Sequence, residues 1–271
     1  MICHYCGECY LEFFPNARQE NLFIGMIHAF RFLGVPAYVL TDNMKSVVIG
    51  RTLERHPIWQ HDYASFMQTI GFQTKLCKPR HPYTKGKVER LIRYAKDNLV
   101  SNINVNNLND LNAASREWCN KQNSICHAGC DLVPEEVHST KCSRNIHPLQ
   151  EKAELMNYLC PIRRISFDGF VTYEGRRFGV PGWYAKNCVR VCREYDTLTI
   201  YSEDLKKVLR TYAMTWSRQD SCCSDQFSGK EPEELPTMPV RTVVHLEERK
   251  SFENEDFFKK FDFTKEGPKD E

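Results

Sequence analysis

Two carboxylates and a group of cations are the residues of this sequence that could do chemistry together. Asp42 directly follows the apolar run AYVLT (37–41), and Glu89 follows an irregular basic stretch, PRHPYTKGK. From Lys78 to Asp97 the chain has 7 Lys/Arg and 2 acidic residues. Carboxylates on separate elements can hold a divalent cation such as Mg²⁺, and cations around them can bind phosphates. This pattern is typical of metal-dependent phosphoryl transfer on a nucleic acid.

The helix predicted from about Val88 places several cations on one face with Glu89. Lys85 lies four residues before Glu89, Arg93 four after it and Lys96 seven after it, and residues at these spacings are neighbours on a helix surface. We expect this face to form a groove that binds nucleic acid. A second interpretation stays open, that the same residues form a solvated salt-bridge surface.

The elements that must position these residues alternate between strands and helices. The patterns predict a strand at 8–14, a helix that follows Asn16 as its cap and ends at Gly34, and a strand at 37–41. They further predict a helix from Pro57 to Gly71, a strand at 72–76, and helices from about Val88 and from about Leu108 to Lys121. The run 37–41 is apolar throughout, so we expect it to be buried on both faces. Asp42 would then lie at the carboxyl edge of an α/β sheet, where ligands bind.

The second half of the sequence has a β-rich character. Asp168-Gly169 and Glu174-Gly175 are turn signals, and three β-rich runs follow, at 188–192, 198–202 and 208–214. We interpret these runs as a small β-barrel. The predicted domains are an α/β core at 1–104, a helical connector at 105–159, the barrel at 160–215 and an acidic, mostly disordered tail at 216–271.

Composition indicates a globular protein with an uneven charge. Hydrophobic residues make up 41% and charged residues 27%, as in globular domains, and neither a membrane-spanning run nor a secretory signal is evident. The 13 cysteines are interpreted as reduced thiols in a cytoplasmic protein. Residues 216–271 carry 9 basic and 14 acidic residues, whereas residues 1–215 carry 28 basic and 21 acidic residues. A basic body of this kind suits a polyanion.

Two motif blocks resemble a known family. TDNMKSVV (41–48) and PRHPYTKGKVERLIRYAK (79–96) resemble the integrase core of bacterial insertion-sequence transposases of the IstA type, within the ribonuclease-H-like superfamily that includes retroviral integrases. Residues 13–43 are similar to the family's strand, helix and Gly-Val-Pro entry to the aspartate strand, and residues 168–181 resemble its C-terminal β-domain. The resemblance covers about residues 5–215.

This resemblance implies a DNA strand transferase that uses Mg²⁺ or Mn²⁺. Asp42 and Glu89 match the second and third catalytic carboxylates and would ligate metal, and Asn43 would line the site. The residues expected to contact DNA are Lys85, Lys87, Arg90, Arg93 and Lys96. The expected partners are transposon-end and target DNA, an AAA+ ATPase helper of the IstB type, and further copies of the chain on DNA, in the nucleoid region of a bacterium.

The family's first catalytic aspartate has no counterpart in this sequence. No Asp precedes Asp42, and the acidic residues before it are Glu8, Glu12 and Glu20. We therefore expect an incomplete, N-terminally truncated transposase that is inactive alone. Two alternatives stay open: a non-catalytic DNA-binding module, and a remnant that binds a partner through its acidic tail.

The amino-terminal cysteines raise a different possibility. Cys3, Cys6 and Cys9 follow one another with the Cys-x2-Cys spacing of zinc ligands. No second pair of ligands follows at a usual distance, and a strand through Cys9 would separate the sulfur atoms. We therefore expect structural cysteines here and no zinc site.

Overall fold

A computed structural model of the chain describes residues 1–54, 56–77, 86–103, 107–127, 131–194, 197–214 and 219–230. The described residues form two compact units, which divide between Glu151 and Lys152. In this part of the chain, no helix is both long enough and apolar enough to cross a membrane.

The first unit combines helices with short strands. Its helices are α1 (Gln19–Leu33), α2 (His61–Ile70), α3 (Gly86–Asn98), α4 (Leu108–Ser124) and α5 (Pro134–Thr140). Its strands are β1 (Val35–Pro36), β2 (Tyr38–Thr41), β3 (Val48–Arg51), β4 (Pro57–Trp59), β5 (Gln73–Leu76) and β6 (Ile146–His147). Short 3₁₀ helices cover Val100–Asn102 and Cys142–Asn145. Strands β2 and β5 are parallel, whereas β3 pairs with β4, and β1 with β6, in antiparallel fashion.

Aromatic side chains join α1, α2 and Phe72, which directly precedes β5. The rings of Phe23 and Phe66 stack at 4.6 Å, and those of Phe30 and Phe72 lie 5.2 Å apart. All four side chains are buried, and aromatic pairs at these distances add to the stability gained from burial. The helical spacing of the apolar residues of α1 thus predicted its buried face correctly. Gly34 ends the helix with a φ of 77°, which a glycine adopts without strain.

The predicted strand at 8–14 is wrong. This segment is extended, but its one ladder contact there is an isolated bridge between Ile2 and Cys9. Besides backbone hydrogen bonds to Met1 and Cys3, the backbone of this segment forms hydrogen bonds to side chains of α4. The Asn123 amide both accepts from the N–H of Cys9 and donates to its carbonyl, at 2.9 Å each. Asn112 does the same for Phe13 at 2.7 and 3.0 Å. Helix side chains therefore take the place of a neighbouring strand.

Strand β2 is confirmed, but its predicted burial on both faces is wrong. Tyr38 and Leu40 are 52% and 46% exposed. These two side chains lie on the same face of β2, since side chains alternate between the faces of a strand, and that face is open to solvent. The ammonium of Lys75 lies 3.8 Å from the centre of the Tyr38 ring, and this contact shields part of the ring from water.

The helix predicted from Pro57 begins later than expected. Pro57 starts β4, a position at which a strand tolerates the missing N–H of proline. Helix α2 begins at His61, and the Gln60 side chain caps it by accepting a hydrogen bond from the N–H of Tyr63. Its end at Gly71 is as predicted. Helix α3 and helix α4 also lie where the apolar patterns predicted them.

The second unit is mainly β-structure. It contains α6 (Leu155–Leu159) and strands β7 (Ile162–Arg164), β8 (Phe170–Tyr173), β9 (Arg176–Gly179), β10 (Cys188–Glu194), β11 (Thr197–Ser202) and β12 (Val208–Ala213). Strands β12, β11, β10 and β7 form an antiparallel sheet in that order, and β8 and β9 form a hairpin. Side chains from both sets enclose one core, which includes Val171, Phe178, Val191, Leu198 and Ile200.

The predicted barrel does not close within the described residues, and part of the predicted disordered tail is packed. The edge of β9 pairs with the segment 219–230: the Gly179 N–H donates to the Ser221 carbonyl at 2.7 Å. In the same segment Cys223 and Gln226 are buried. An irregular segment therefore provides hydrogen-bond partners for the edge of β9. In a closed barrel another strand would pair with that edge. Residues 216–218 and 231–271 of the predicted tail lie outside the described residues.

Candidate active site

Asp42 and Asn43 lie at the carboxyl edge of the β2–β5 pair. The Cys77 N–H donates to the Thr41 carbonyl at 2.9 Å, which continues the parallel ladder to this edge. The Asn43 amide donates to the Cys77 carbonyl at 3.2 Å, and the Arg51 guanidinium donates to the Asn43 oxygen at 3.0 Å. Asn43 therefore ties the two strand ends together beside Asp42, whose side chain is half-buried.

Glu89 lies in the first turn of α3 with its side chain exposed. The opposite face of the helix is buried through Leu91, Tyr94 and Ala95, which pack near Trp118 of α4. Burial of that face fixes the orientation of the helix, so Glu89 is directed to solvent. A carboxylate in the first turn is also stabilised by the partial positive charge of the helix N-terminus. The predicted presentation of Glu89 on a solvent-facing surface agrees with this position.

The predicted DNA-contacting cations differ in their surroundings. Arg93 and Lys96 are exposed, on the face that carries Glu89, and Arg90 is half-buried. The Lys87 ammonium donates a hydrogen bond to the carbonyl of His4, so it contacts the amino-terminal turn of the chain. Lys85, the fifth predicted cation, lies outside the described residues.

The chain connects the two predicted metal ligands through the end of β5. Asn43, next to Asp42, donates a hydrogen bond to the backbone of Cys77 at the end of this strand. Residues 78–85, which follow, lie outside the described part of the chain. Helix α3 begins after them and has Glu89 in its first turn. Neither Asp42 nor Glu89 belongs to a group of three or more potential metal ligands within the described residues. Their roles in metal binding stay predictions.

A compact group of potential metal ligands was missed at the sequence level. Cys3, Cys6, His138 and Cys142 bring one ligand atom each to within 4.8 Å of all the others. We define these four residues as the cysteine–histidine cluster. A hydrogen bond from Cys6 lowers the pKa of Cys3 to about 3, and this contact together with burial raises the pKa of Cys6. The available signal was a Cys-x2-Cys pair with a distant His-x3-Cys pair.

Comparisons with known proteins point to one class of protein. No protein-family model matches the chain. It is 31% identical over 184 residues to the putative transposase for insertion sequence element IS5376 of Geobacillus stearothermophilus, covering 67% of this chain and 44% of that protein. It is 27% identical over 197 residues to the transposase for IS232 of Bacillus thuringiensis subsp. berliner (71% and 45%). It is 25% identical over 194 residues to the transposase for IS21 of Pseudomonas aeruginosa (70% and 49%).

The chain spans about half the length of the curated relatives it matches. Among solved structures, it resembles a chain in the cryo-EM structure of the simian T-cell lymphotropic virus intasome in complex with PP2A regulatory subunit B56 gamma, with a TM-score of 0.38 and 14% identity. That match covers 79% of this chain and 68% of the other, at a TM-score too low to assign a shared fold. Over about 70% of its length, this chain is similar in sequence to transposases of insertion-sequence elements.

Proposed function

We propose that this chain acts in DNA transposition, as part of a transposase of the IstA type with an integrase-like core. The observation that carries the proposal is its similarity, over 67–71% of the chain, to transposases of three insertion-sequence elements. The described geometry adds support, because Asp42 lies at the carboxyl edge of parallel strands and Glu89 is exposed beside Arg93 and Lys96. A surface of this kind suits a DNA backbone.

In this proposal Asp42 and Glu89 hold Mg²⁺ or Mn²⁺. The residues fit such an ion, since both offer hard carboxylate oxygens and neither carboxylate is fully buried. The ion, when bound, supplies Lewis-acid activation at the scissile phosphodiester. Arg93 and Lys96 bind neighbouring phosphates, which offsets the repulsion between Glu89 and the DNA backbone.

Two of the three acidic residues that precede Asp42 in the sequence are engaged by other side chains. Glu12 accepts hydrogen bonds from Tyr10 at 2.9 Å and contacts His28 at 3.0 Å. Glu8 is buried beside His138. We therefore propose that these 271 residues alone bind DNA without transferring strands. This observation also favours a second candidate function, a DNA-binding module without chemistry.

Asp42→Asn and Glu89→Gln test the assignment of the site. We expect the wild-type chain to bind DNA, to bind Mn²⁺ weakly in the DNA complex as measured by electron paramagnetic resonance, and to give no strand-transfer product. Both variants should retain DNA binding and lose the bound Mn²⁺. The proposal that the chain alone is inactive would be refuted if the wild-type chain gave a strand-transfer product and Glu89→Gln abolished it. Equal Mn²⁺ binding by wild type and both variants would refute the ligand assignment.

Partners beyond DNA belong to the same proposal. An AAA+ helper of the IstB type and further copies of the chain would assemble with it on DNA. Because residues 219–230 pack against β9 within the second unit, the deletion that tests helper binding should begin at residue 231. We expect this deletion to abolish helper binding in a pull-down assay and to leave DNA binding intact. Unchanged helper binding would exclude the acidic tail as the contact.

A further inference from the structure

The cysteine–histidine cluster joins the two ends of the first unit. Cys3 and Cys6 come from the amino-terminal turn, His138 from α5, and Cys142 from the 3₁₀ helix that follows. The sulfur atoms of Cys3 and Cys142 lie 3.9 Å apart, and the Cys6 sulfur lies 3.3 Å from Nδ1 of His138. We propose that these four residues form a structural zinc site, separate from Asp42 and Glu89.

The distances fit a tetrahedral ion. With Zn–S bonds of about 2.3 Å, two sulfur ligands of a tetrahedral zinc lie about 3.8 Å apart, and a sulfur and a nitrogen ligand about 3.6 Å apart. The observed separations of 3.9 and 3.3 Å match these edges closely. A disulfide requires sulfur atoms at about 2.05 Å, so Cys3 and Cys142 are not joined by one. Three thiolates and an imidazole are a ligand set that selects zinc over hard cations.

The amino-terminal turn is shaped to present two sulfur atoms in one direction. The Cys3 N–H donates to the Glu8 carbonyl at 2.8 Å, and the Gly7 N–H donates to the Cys3 carbonyl at 3.1 Å. Gly7 has a φ of 83°, a conformation that side chains other than glycine rarely adopt. The Glu8 N–H points at the Cys6 sulfur at 3.5 Å, a contact that stabilises a thiolate.

The histidine is oriented for metal binding through Nδ1. His138 Nε2 lies 2.8 Å from the Leu33 carbonyl, so Nε2 carries the proton and donates it. A backbone carbonyl in this role is common at zinc sites. An ion bound at Nδ1 would replace the proton that Nδ1 otherwise shares with Glu8 at 2.9 Å. His138 and Cys142 are four residues apart, so both lie on the same side of this helical segment.

A buried carboxylate lies beside the cluster and pairs with its histidine. Glu8 is 6% exposed, and its Oε2 lies 2.9 Å from His138 Nδ1. This contact is an ion pair when His138 is protonated. A buried carboxylate is costly unless a positive charge neutralises it. A dication held by the cluster would place positive charge next to it, and Lys87, which binds His4 of the same turn, adds further positive charge.

Zinc in this position would cross-link residues 3–6 to residues 138–142. The ligands of the two pairs are separated by more than 130 positions in the chain, and closing a loop of that length removes much entropy from the unfolded chain. The ion would also fix the turn that Lys87 contacts at the start of α3. Its role is therefore to stabilise the first unit, including the helix that carries Glu89.

The test measures metal content and ligand chemistry directly. We expect the chain, purified in reductant without chelator, to contain one equivalent of zinc by mass spectrometry. Replacement of zinc by Co²⁺ should give strong visible bands and a sulfur-to-cobalt charge-transfer band in the near ultraviolet. Cys6→Ser and Cys142→Ser should lose both. Cys77→Ser, which changes a buried cysteine of the same unit outside the cluster, should retain both.

Two results would overturn the proposal. One is a wild-type chain that holds no zinc and gives no charge-transfer band when Co²⁺ is added to the reduced protein. The other is zinc content that is the same in Cys6→Ser and Cys142→Ser as in wild type. If a serine variant does not fold, the Co²⁺ spectrum of the wild-type chain and the folded Cys77→Ser control still decide the question.

Discussion

Helix α4 holds the extended amino-terminal segment through side-chain amides, and Asn123→Ala removes one of these attachments. Asn123 is 2% exposed, and its amide makes two hydrogen bonds of 2.9 Å to the backbone of Cys9, which is 3% exposed. The substitution leaves the Cys9 N–H and carbonyl without partners in a place that water does not reach. Each buried backbone group without a partner costs about 1–3 kcal/mol.

We expect Asn123→Ala to lower the free energy of unfolding by about 3 kcal/mol, because two buried backbone groups lose their hydrogen-bond partners. The higher helix propensity of alanine offsets only a small part of this loss in stability. Asn112→Ala removes the equivalent pair of bonds to Phe13, but Phe13 is half-exposed. Water can replace those bonds, so we expect a loss of about 1 kcal/mol. The exposed Asn120 of the same helix provides the control, with an effect within about 0.5 kcal/mol.

Urea unfolding followed by tryptophan fluorescence measures these differences, because Trp118 is buried in the cluster that contains Cys9. With a slope of about 2 kcal/mol per M, Asn123→Ala should move the urea midpoint down by about 1.5 M. Equal midpoints for Asn123→Ala and Asn120→Ala would refute the reasoning. They would show that the amides of α4 do not replace a neighbouring strand in stabilising this segment.

Two further predictions concern other parts of the fold. A Cβ at Gly182 would lie 2.4 Å from a backbone oxygen of the segment 219–230, so Gly182→Ala should speed hydrogen exchange of that segment. Gly229→Ala is the control, because a Cβ there meets open space, and it should leave the exchange unchanged. Equal exchange in both variants would contradict the packing described. Burial lowers the pKa of His127 from its ordinary 6.5, so the unfolded chain binds a proton at this residue more readily than the folded chain does. The free energy of unfolding should therefore fall as the pH drops below about 6.5. His127→Gln should remove that part of the pH dependence, as measured by urea unfolding at several pH values.

Local patterns predicted α1, α3 and α4 of the first unit, whereas α2 begins later than predicted and α5 was not predicted. The apolar spacing of α1 identified its buried face, because side chains that share one face of a helix recur at a fixed spacing in the sequence. The same reasoning placed Asp42 after a strand and Glu89 in the first turn of a helix, and the structure agrees with both positions.

Features that depend on distant partners were not predictable from such patterns. The burial of 37–41 depends on which elements cover each face of the strand, and the face that carries Tyr38 and Leu40 is exposed. The run 8–14 has the composition of a strand, but its hydrogen-bond partners are helix side chains. The cysteine–histidine cluster depends on a histidine 132 positions away from Cys6. In each case the deciding contact comes from outside the window that a sequence pattern covers.

The salt dependence of DNA binding tests the central claim most directly, that the face of α3 around Glu89 binds a DNA backbone. The logarithm of the binding constant should fall with the logarithm of salt concentration, and the double variant Arg93→Gln/Lys96→Gln should reduce that slope by about 1.8, or about 0.9 for each lost phosphate contact. Lys141→Gln/Arg144→Gln, which removes two exposed cations elsewhere in the first unit, should leave the slope unchanged. A slope that is the same in wild type and in the Arg93/Lys96 variant would contradict the account.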